Sequence, residues 1–322
     1  MNTPGRVLVT GGAGFIGSHV VDALIALGRD VAVLDDLATG SRANLNPNAR
    51  FYQGGVTDSE VLERAFREVA PRWVSHHAAQ ISVTQSVEDP VADAETNVLG
   101  SLMVLEACRR HGVEHLTFAS TGGALYGDPK MVPCDESAPV SPKAPYGAAK
   151  HAVETYLDVY RSTWGFKSAV LRYGNVYGPR QSPRGEAGVI AIFANRMLQS
   201  QQPTIFGDGD QARDFVYVAD VVQANLIAME RHLDGVFNVG SGTATSVNTV
   251  VEVLRRQCGY AGAITHAPER PGEARRIALD SGRFAEATGW CPSVSFEEGV
   301  RATVDYLRRA VATGPQPDRP GG

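Results

Sequence analysis

The sequence predicts an α/β protein built on a doubly wound parallel sheet, with a smaller mixed α/β lobe after about residue 174. Short apolar runs alternate with helical patterns through the first half of the 322 residues. This alternation is typical of a parallel sheet covered by helices on both faces. Beyond residue 174, stretches rich in Gly, Pro and Arg replace the apolar runs. We therefore expect a loop-rich second lobe, interleaved with the first in chain order.

The positions of these runs define the predicted elements. Six runs are expected to be strands: RVLVT (6–10), VAVLD (31–35), RFYQG (50–54), RWVSHHAA (72–79), HLTFAS (115–120) and SAVLRY (168–173). Helical spacing predicts helices at 15–28, 58–70, 94–112 and 145–163. In the second half, 213–230 is expected to form a strand and then a helix, and 235–242 a short strand. We place the two domains at 1–174 and 175–314, and a disordered tail at 315–322.

Composition excludes several classes of function. A formal net charge of −5 provides no basic footprint for nucleic acid or an anionic membrane. No run approaches the about 18 apolar residues of a membrane span, and the N-terminus lacks the features of a secretory signal. Four cysteines lie far apart, without metal-ligand spacing: Cys108, Cys134, Cys258 and Cys291. We expect buried free thiols, no metal site and a cytoplasmic protein.

A glycine-rich turn follows the first predicted strand. Gly11, Gly14 and Gly17 give the spacing G-x-x-G-x-x-G before a helix. Such glycines let the backbone approach a pyrophosphate, which then lies at the positive end of the helix. Asp35 ends the second strand, where a carboxylate would bind an adenosine ribose and repel a 2′-phosphate. The pattern indicates a Rossmann-type fold that binds NAD rather than NADP.

A tyrosine and a lysine lie four residues apart at the start of the helix predicted at 145–163. Tyr146 and Lys150 therefore share one helix face. A nearby cation favours the phenolate form of a tyrosine, so Tyr146 is a candidate base. The alternative is an ordinary surface contact. His76 and His77 lack a partner carboxylate at catalytic spacing and are expected to be structural.

Further motifs along nearly the whole chain identify a family. They are HHAAQ (76–80), TNVLGS (96–101), LRYGNVYGPR (171–180), GDGDQARDFVYVAD (207–220), FNVGSG (237–242) and RPGE (270–273). With the glycine turn, the Tyr146/Lys150 pair and Ser120-Thr121, the chain resembles the extended short-chain dehydrogenase/reductases. Within the NAD-dependent epimerase/dehydratase family it is similar to the nucleotide-sugar enzymes, and most similar to the UDP-glucose 4-epimerases.

The resemblance implies a set of site residues. The catalytic residues would be Thr121, Tyr146 and Lys150, with Ser120 as the alternative to Thr121. The positions implied for NAD are Gly11, Gly14, Phe15, Ile16, Gly17, Asp35, Val56, Ala78, Ala79, Asn97, Tyr146, Lys150 and Tyr173. Those implied for the UDP-sugar are Thr121, Asn175, Arg213, Arg270 and Glu273. The two arginines would pair with the diphosphate, and Glu273 would contact the uridine ribose.

The implied reaction interconverts UDP-glucose and UDP-galactose. Tyr146 would take the proton of the sugar 4-hydroxyl while C4 gives a hydride to NAD. The 4-keto sugar would turn over, and the hydride would return to its other face. Lys150 and the positive nicotinamide are expected to lower the pKa of Tyr146. The resemblance also implies a homodimer, formed by pairing helices 94–112 and 145–163 into a four-helix bundle.

Other functions remain open at this point. A dehydratase would need an acidic group directly after Thr121, where this chain has Gly122 and Gly123. A UDP-glucuronate epimerase would usually carry an arginine at Ser182, although Arg184 lies close by. UDP-N-acetylhexosamines and a non-enzymatic NAD-binding regulator are further alternatives. After strand three the family usually has GD-I/V, whose aspartate contacts adenine, whereas this chain reads Gly55-Val56.

Overall fold

The computed structural model describes residues 5–183, 188–269 and 274–313. Its strands are β1 Arg6–Thr10, β2 Asp30–Asp35, β3 Arg50–Gln53, β4 Trp73–His76, β5 His115–Thr121, β6 Ser168–Tyr173, β7 Asn175–Tyr177, β8 Thr204–Phe206, β9 Ala212–Tyr217, β10 Gly235–Val239, β11 Ala244–Ser246 and β12 Thr265–Ala267. Its α-helices are α1 Phe15–Ala26, α2 Ser59–Val69, α3 Val83–Glu88, α4 Pro90–Ala94, α5 Gly100–Arg110, α6 Gly122–Leu125, α7 Pro145–Trp164, α8 Val189–Leu198, α9 Val218–Glu230, α10 Val247–Cys258, α11 Gly282–Thr288 and α12 Phe296–Thr313.

Seven parallel strands form the central sheet, in the order β10-β6-β5-β4-β1-β2-β3. The predicted Rossmann-type fold is confirmed. The strand order reverses between β1 and β4, and ligands of such sheets bind at the carboxyl ends of the strands beside this switch point. Strand β10 lies beyond residue 174, so the second half of the chain completes the first sheet. The proposed domain boundaries stay predictions.

Two apolar layers cover the central sheet. Alternate residues of a strand point to opposite faces. Leu8 and Leu34 pack with helices α2, α5 and α7 on one face. Val7 and Val33 pack with α1 and α9 on the other. Both faces of β1 and β2 are buried, so apolar residues follow one another there without polar alternation.

The smaller lobe is built on short strands and three helices. Strand β9 pairs with β7 in parallel and with β11 antiparallel, and β8 pairs with β12. Helices α8, α10 and α12 enclose a separate apolar core, which includes Ile190, Leu254 and Val300. Phe215 of β9 belongs to this core. The expected mixed α/β lobe is thus confirmed.

The helix expected at 94–112 has a different form. Asp89 caps α4, with Pro90 at its first position; a π-helix, Glu95–Leu99, leads directly into α5. A proline at the first helical position costs no hydrogen bond, so the segment starts earlier than the apolar spacing predicts. Gly112 follows the end of α5 at φ 68°, as expected for a helix stop.

Other predictions are corrected or lie outside the described residues. All four cysteines are free, but Cys291 is exposed and only Cys108 and Cys134 are fully buried. Residues 315–322 lie outside the described part of the chain. Among the described helices, none combines the length and apolar character needed to cross a membrane.

Candidate active site

The glycine turn brings two strand ends into close contact. Gly11 has φ 70°, and a Cβ atom there would lie 2.6 Å from the amide nitrogen of Ala78. A Cβ atom on Gly17 would collide with the carbonyl oxygen of Gly11. Gly14 precedes α1, so the positive end of that helix meets the turn as bare backbone. The turn therefore has the tight, open geometry expected of a phosphate-binding loop.

Asp35 is built into this turn. Its two carboxylate oxygens accept hydrogen bonds from the amides of Ala13 (2.9 Å) and Leu37 (2.8 Å). Burial raises the pKa of Asp35, although both amides oppose the shift. The carboxylate is thereby fixed beside the glycine turn. Its predicted contact with an adenosine ribose stays a prediction.

A cavity of about 250 Å³ opens at the carboxyl ends of the strands. Phe15 and Ile16 of the turn form part of its wall. The other lining residues come from both lobes: Ser120, Thr121, Tyr146, Tyr173, Gly174, Asn175, Val176, Tyr177, Gln181, Gly188, Ile190 and Phe215. The cavity therefore joins the predicted cofactor turn to two of the three predicted catalytic residues.

Lys150 lies beneath this cavity in the protein interior. Its side chain is 3% exposed, and its Nζ donates to the carbonyl oxygen of Ala119 at 3.0 Å. The Nζ atom lies 4.8 Å from the ring centre of Phe118 and 5.9 Å from that of Tyr146. Burial lowers the pKa of Lys150 to about 8. The pair is thus not an exposed surface contact.

The expected lowering of the Tyr146 pKa depends on the positive nicotinamide as well as on Lys150. In the protein alone, desolvation raises this pKa, and the negative charge of Asp93 raises it further. The ammonium of Lys150, 5.9 Å from the ring centre of Tyr146, does not offset these two effects. A base at Tyr146 therefore needs additional positive charge at the hydroxyl.

The structure distinguishes the two hydroxyls at the end of β5. Ser120 Oγ donates to Glu154 Oε1 at 2.5 Å, deep in the interior. Thr121 Oγ1 accepts from the amide of Ala124 (3.2 Å) as the cap of α6, and its residue lines the cavity. As an N-cap acceptor, the Thr121 hydroxyl still has its proton to donate. This supports Thr121 as the hydroxyl that meets a substrate.

Asn175 and Gly123 lie beside Thr121. The Oδ1 atom of Asn175 is buried and has no hydrogen-bond partner among the described residues. A Cβ atom on Gly123 would lie 3.4 Å from this oxygen and 3.9 Å from Thr121 Oγ1. Any side chain at position 123 would therefore point toward the reacting end of the cavity, and glycine leaves that space open.

Asn97 holds the loop that follows β4. Its amide donates to Gln80 O and to Asp93 Oδ1, each at 2.9 Å, and its Oδ1 accepts from the Gln80 amide at 2.9 Å. Asn97 thus fixes the loop that carries Ala78 and Ala79. Its predicted contact with NAD is untested.

Asp93 is a buried charged residue that sequence reasoning missed. It lies in the acidic stretch VEDPVADAE (87–95), which resembles an exposed surface segment. The structure leaves its side chain only 1% exposed. Its burial follows from the packing of α4 on α7, and the sequence carries no local signal of that contact.

Three other predicted positions lie among the described residues, in different surroundings. Val56 is buried and packs close to Gly100. The hydroxyl of Tyr173 exchanges hydrogen bonds with the amide of Asn225. The guanidinium of Arg213 donates to the carbonyl of Ala212. Arg270 and Glu273 lie outside the described residues.

The two histidines at the end of β4, His76 in the strand and His77 directly after it, have structural surroundings, as expected. His76 lies between Thr10 Oγ1 (2.6 Å) and Ser101 Oγ (2.9 Å). His77 contacts Ser75 Oγ at 2.9 Å. Burial and the charge of Lys150 lower the pKa of each to about 3. Both are therefore neutral at physiological pH.

With this geometry, the class of protein follows from fold and cavity together: an α/β protein with a dinucleotide turn facing a tyrosine and a buried lysine. The model of the NAD-dependent epimerase/dehydratase family matches residues 7–240, and the chain belongs to that family.

The chain is also similar to individual proteins, two of them with solved structures. The UDP-glucose 4-epimerase of Thermus thermophilus, solved in complex with NAD, is 51% identical, with a TM-score of 0.91 over 95% of this chain and 99% of that one. The Thermotoga maritima enzyme, solved with UDP-glucose, is 49% identical, with a TM-score of 0.91 over 94% and 98% of the two chains. A putative UDP-glucose 4-epimerase of Methanocaldococcus jannaschii is 46% identical over 94% of this chain and 98% of its own.

Proposed function

We propose that this protein is a UDP-glucose 4-epimerase that interconverts UDP-glucose and UDP-galactose with tightly bound NAD. The observation that carries the proposal is a cavity lined both by the glycine turn and by Thr121 and Tyr146. The high similarity to epimerases over nearly the whole chain supports it.

The described residues fit an NAD molecule. Neither Gly11 nor Gly17 has room for a Cβ atom, and the turn that they form faces the positive end of α1. Asp35 supplies a fixed carboxylate at the end of β2. When bound, oxidised NAD supplies the hydride acceptor for C4 of the sugar and a positive charge that favours the Tyr146 phenolate.

The protein side chains move and hold one proton. Tyr146 removes the proton of the sugar 4-hydroxyl and later returns it. The Thr121 hydroxyl hydrogen-bonds to the same sugar oxygen and steadies it as alkoxide and as ketone. Lys150 supplies a positive charge near Tyr146, and its ammonium is held by the carbonyl of Ala119. Because the same proton is returned, the reaction needs no exchange with solvent.

The glycines after Thr121 favour epimerisation over dehydration. Elimination of water from the sugar requires a further acid or base near C5 and C6. The position that would place such a group beside Thr121 and Asn175 is Gly123. With no side chain there, the 4-keto sugar can only be reduced again.

The sugar itself is the finer part of the proposal. We assign glucose and galactose as the sugars, with N-acetylhexosamines and glucuronate as the alternatives. Ser182 replaces the arginine expected for a glucuronate enzyme, and Arg184 lies outside the described residues. The Asn175 amide oxygen can accept a hydrogen bond from a donor on the UDP-sugar.

Incubation of the purified protein with UDP-galactose, without added NAD, tests this function. We expect UDP-glucose to accumulate to equilibrium, measured by chromatography. Tyr146→Phe should lose about 10²- to 10⁴-fold in turnover, the usual contribution of a general acid–base group. Tyr306→Phe, on distant α12, is the matched control. Absence of product from UDP-galactose, UDP-N-acetylgalactosamine and UDP-glucuronate, even with NAD added, would refute the proposal.

We also propose that the protein forms a homodimer. Large apolar side chains remain exposed on the π-helix before α5 and along α7: Leu99, Tyr156, Val159 and Trp164. The π-helix packs against α7, so these residues belong to one pair of neighbouring helices. Pairing the same surface of a second copy would bury them in a four-helix bundle.

A further inference from the structure

Asp93 combines deep burial with an unsatisfied oxygen. Its Oδ1 accepts from Gln80 Nε2 (2.8 Å) and Asn97 Nδ2 (2.9 Å). Its Oδ2 is buried and has no hydrogen-bond partner in the described ranges 5–183, 188–269 and 274–313. A buried carboxylate is costly unless a cation compensates it. Two amides alone are weak compensation.

The cation that can serve Asp93 is Lys150. Helix α4, which carries Asp93, packs against α7, and Lys150 is the buried ammonium of α7. The other carboxylate near Lys150 is Glu154, one turn further along α7. Glu154 is already engaged by Arg172, whose guanidinium binds both of its oxygens at 2.5 to 3.2 Å. Asp93 is therefore the carboxylate left to balance Lys150.

The charges of the two groups act on one another. The negative charge of Asp93 raises the pKa of Lys150, against the lowering caused by burial. The positive charge of Lys150 in turn opposes the rise that burial causes in the pKa of Asp93. The same carboxylate raises the pKa of Tyr146. Asp93 thus raises the pKa of both Lys150 and Tyr146.

We propose that Asp93 is the buried counter-ion of Lys150, and that it is a positioning residue which keeps Lys150 charged in the active site. Its catalytic importance rests on the proposed epimerase function, whereas the charge interaction between Asp93 and Lys150 does not. Through Gln80 and Asn97, Asp93 also ties the charge of Lys150 to the loop after β4.

Other titratable groups also lie around Lys150. His76 at the end of β4 and His77 after it are neutral above about pH 3 to 4, because the pKa of each is lowered to about 3. Glu154 is paired with Arg172 and also raises the pKa of Lys150, but less than Asp93 does. The segments beside α4 contribute Glu88, Asp89 and Glu95, which are exposed to solvent.

The variant Asp93→Asn removes one charge and retains the shape of the side chain. Its amide oxygen can still accept from Gln80 and Asn97, so the loop remains supported. Because Asp93 raises the pKa of both Lys150 and Tyr146, both should titrate at lower pH in the variant. We expect each midpoint to fall by about one pH unit, the lower end of the effect of a nearby charge.

Lysine NMR measures this shift without any need for turnover. The chain contains only four lysines, Lys130, Lys143, Lys150 and Lys167, so isotope-labelled lysine gives a simple spectrum. Lys150→Met assigns the resonance of interest. We expect a midpoint near pH 8 in the unmodified protein and a lower one in Asp93→Asn. Glu95→Gln makes the same charge change at an exposed site two residues away and should leave the midpoint unchanged.

The pH profile of turnover tests the effect of Asp93 on catalysis. In Asp93→Asn, both the acid and the alkaline limb should move to lower pH, whereas mere loosening of the structure would lower the rate without moving the limbs. Asp93→Glu, which restores the charge, should move them back toward the original position. An active enzyme with unshifted limbs and an unshifted Lys150 midpoint would overturn the inference and leave the epimerase function intact.

A reciprocal measurement covers the case in which Asp93→Asn fails to fold. In Lys150→Met the pKa of Asp93 should rise, because the compensating cation is gone. Carboxyl NMR of labelled aspartate reads this directly. An Asp93 midpoint that is equal in the two proteins would refute Asp93 as the counter-ion of Lys150, whether or not either protein turns over UDP-galactose.

Discussion

Two neighbouring hydroxyls, Ser120 and Thr121, have separate tasks in this site. Both residues line the cavity, but the Ser120 hydroxyl donates to Glu154, whereas the Thr121 hydroxyl only accepts, from the amide of Ala124. Loss of the Ser120 hydroxyl removes a hydrogen bond to a buried carboxylate, and loss of the Thr121 hydroxyl removes the donor that we propose for the substrate oxygen. In this proposal, adjacent residues of one strand serve stability and chemistry.

Substitution should separate these two tasks. Ser120→Ala is expected to cost about 1 to 3 kcal/mol in the free energy of unfolding, with a smaller effect on kcat. Thr121→Val should lower kcat at least tenfold and cost about 1 kcal/mol through the lost helix cap. Urea unfolding and steady-state kinetics on both variants measure the two effects. A larger loss of kcat in Ser120→Ala than in Thr121→Val would reverse the assignment.

Residues of this site differ in how far the sequence reveals them. The glycine turn and the Tyr146/Lys150 pair depend on spacing within one local element, so their proximity could be predicted. Asp93 could not be found in this way, because its burial depends on packing between α4 and α7. Burial and then the charge of Asp93 raise the pKa of Tyr146 in the protein alone, and the contribution of Asp93 could not be predicted for the same reason.

At the level of elements, a buried ion pair joins α7 to β6. Arg172 and Glu154 are 5% and 6% exposed, and Arg172 also donates to the hydroxyl of Tyr126 at 2.8 Å. Removing one partner of such a pair leaves an uncompensated charge in the interior. The pair therefore fixes the helix that carries Tyr146 against the central sheet.

Arg172→Met should destabilise the protein by about 3 to 5 kcal/mol. Arg50→Met is the control, because Arg50 forms an exposed ion pair with Asp30, worth at most about 1 kcal/mol. Urea denaturation of the two variants provides the comparison. Equal losses of stability would mean that the interior pair contributes no more than the surface one.

The start of β5 carries a histidine that makes folding sensitive to acid. Burial lowers the pKa of His115 to about 4, below its ordinary 6.5. Protonation therefore favours the unfolded chain. The stability contribution is intact above about pH 6.5 and is lost as the pH falls toward 4.

For His115 alone, the loss between pH 7 and pH 4 should be about 3 kcal/mol. His115→Gln retains a donor for the carbonyl of Leu233 and should flatten this dependence. Unfolding free energies across this pH range measure it in both proteins. Parallel pH curves would show that His115 is not the group responsible.

The order of elements was largely predictable, and their long-range pairing was not. Buried parallel strands are apolar on both faces, so runs such as RVLVT and SAVLRY indicate strands without structural information. Nothing local indicates that β10, far along the chain, pairs with β6. The division of 94–112 into a π-helix and α5 could not be predicted either, because the apolar residues keep a helical spacing along the whole segment.

On the scale of the whole molecule, the cavity lies between the two parts of the fold. The central sheet contributes Thr121 and Tyr173, and Asn175 and Phe215 come from the strands of the smaller lobe. On another flank of α7, apolar side chains of α7 and of the neighbouring π-helix are exposed. The same helix thus serves the active site on one side and the proposed dimer on another.

Val159→Glu should break the proposed dimer. Val159 is 46% exposed on α7, and a carboxylate there would be buried in the bundle without a partner. Sedimentation at micromolar concentration should show dimers for the unmodified protein and monomers for the variant. Val311→Glu, at an exposed position on α12, is the control. A monomeric unmodified protein would contradict the dimer.

The central claim is that C4 of the sugar is oxidised and then reduced again inside one closed site. UDP-galactose that carries deuterium at C4 tests this most directly, with the UDP-glucose product analysed by mass spectrometry and NMR. We predict that the product keeps its deuterium at C4 in ordinary water, with no added NAD. Replacement of the label by solvent hydrogen would mean that C4 loses a proton rather than a hydride, which would contradict the mechanism.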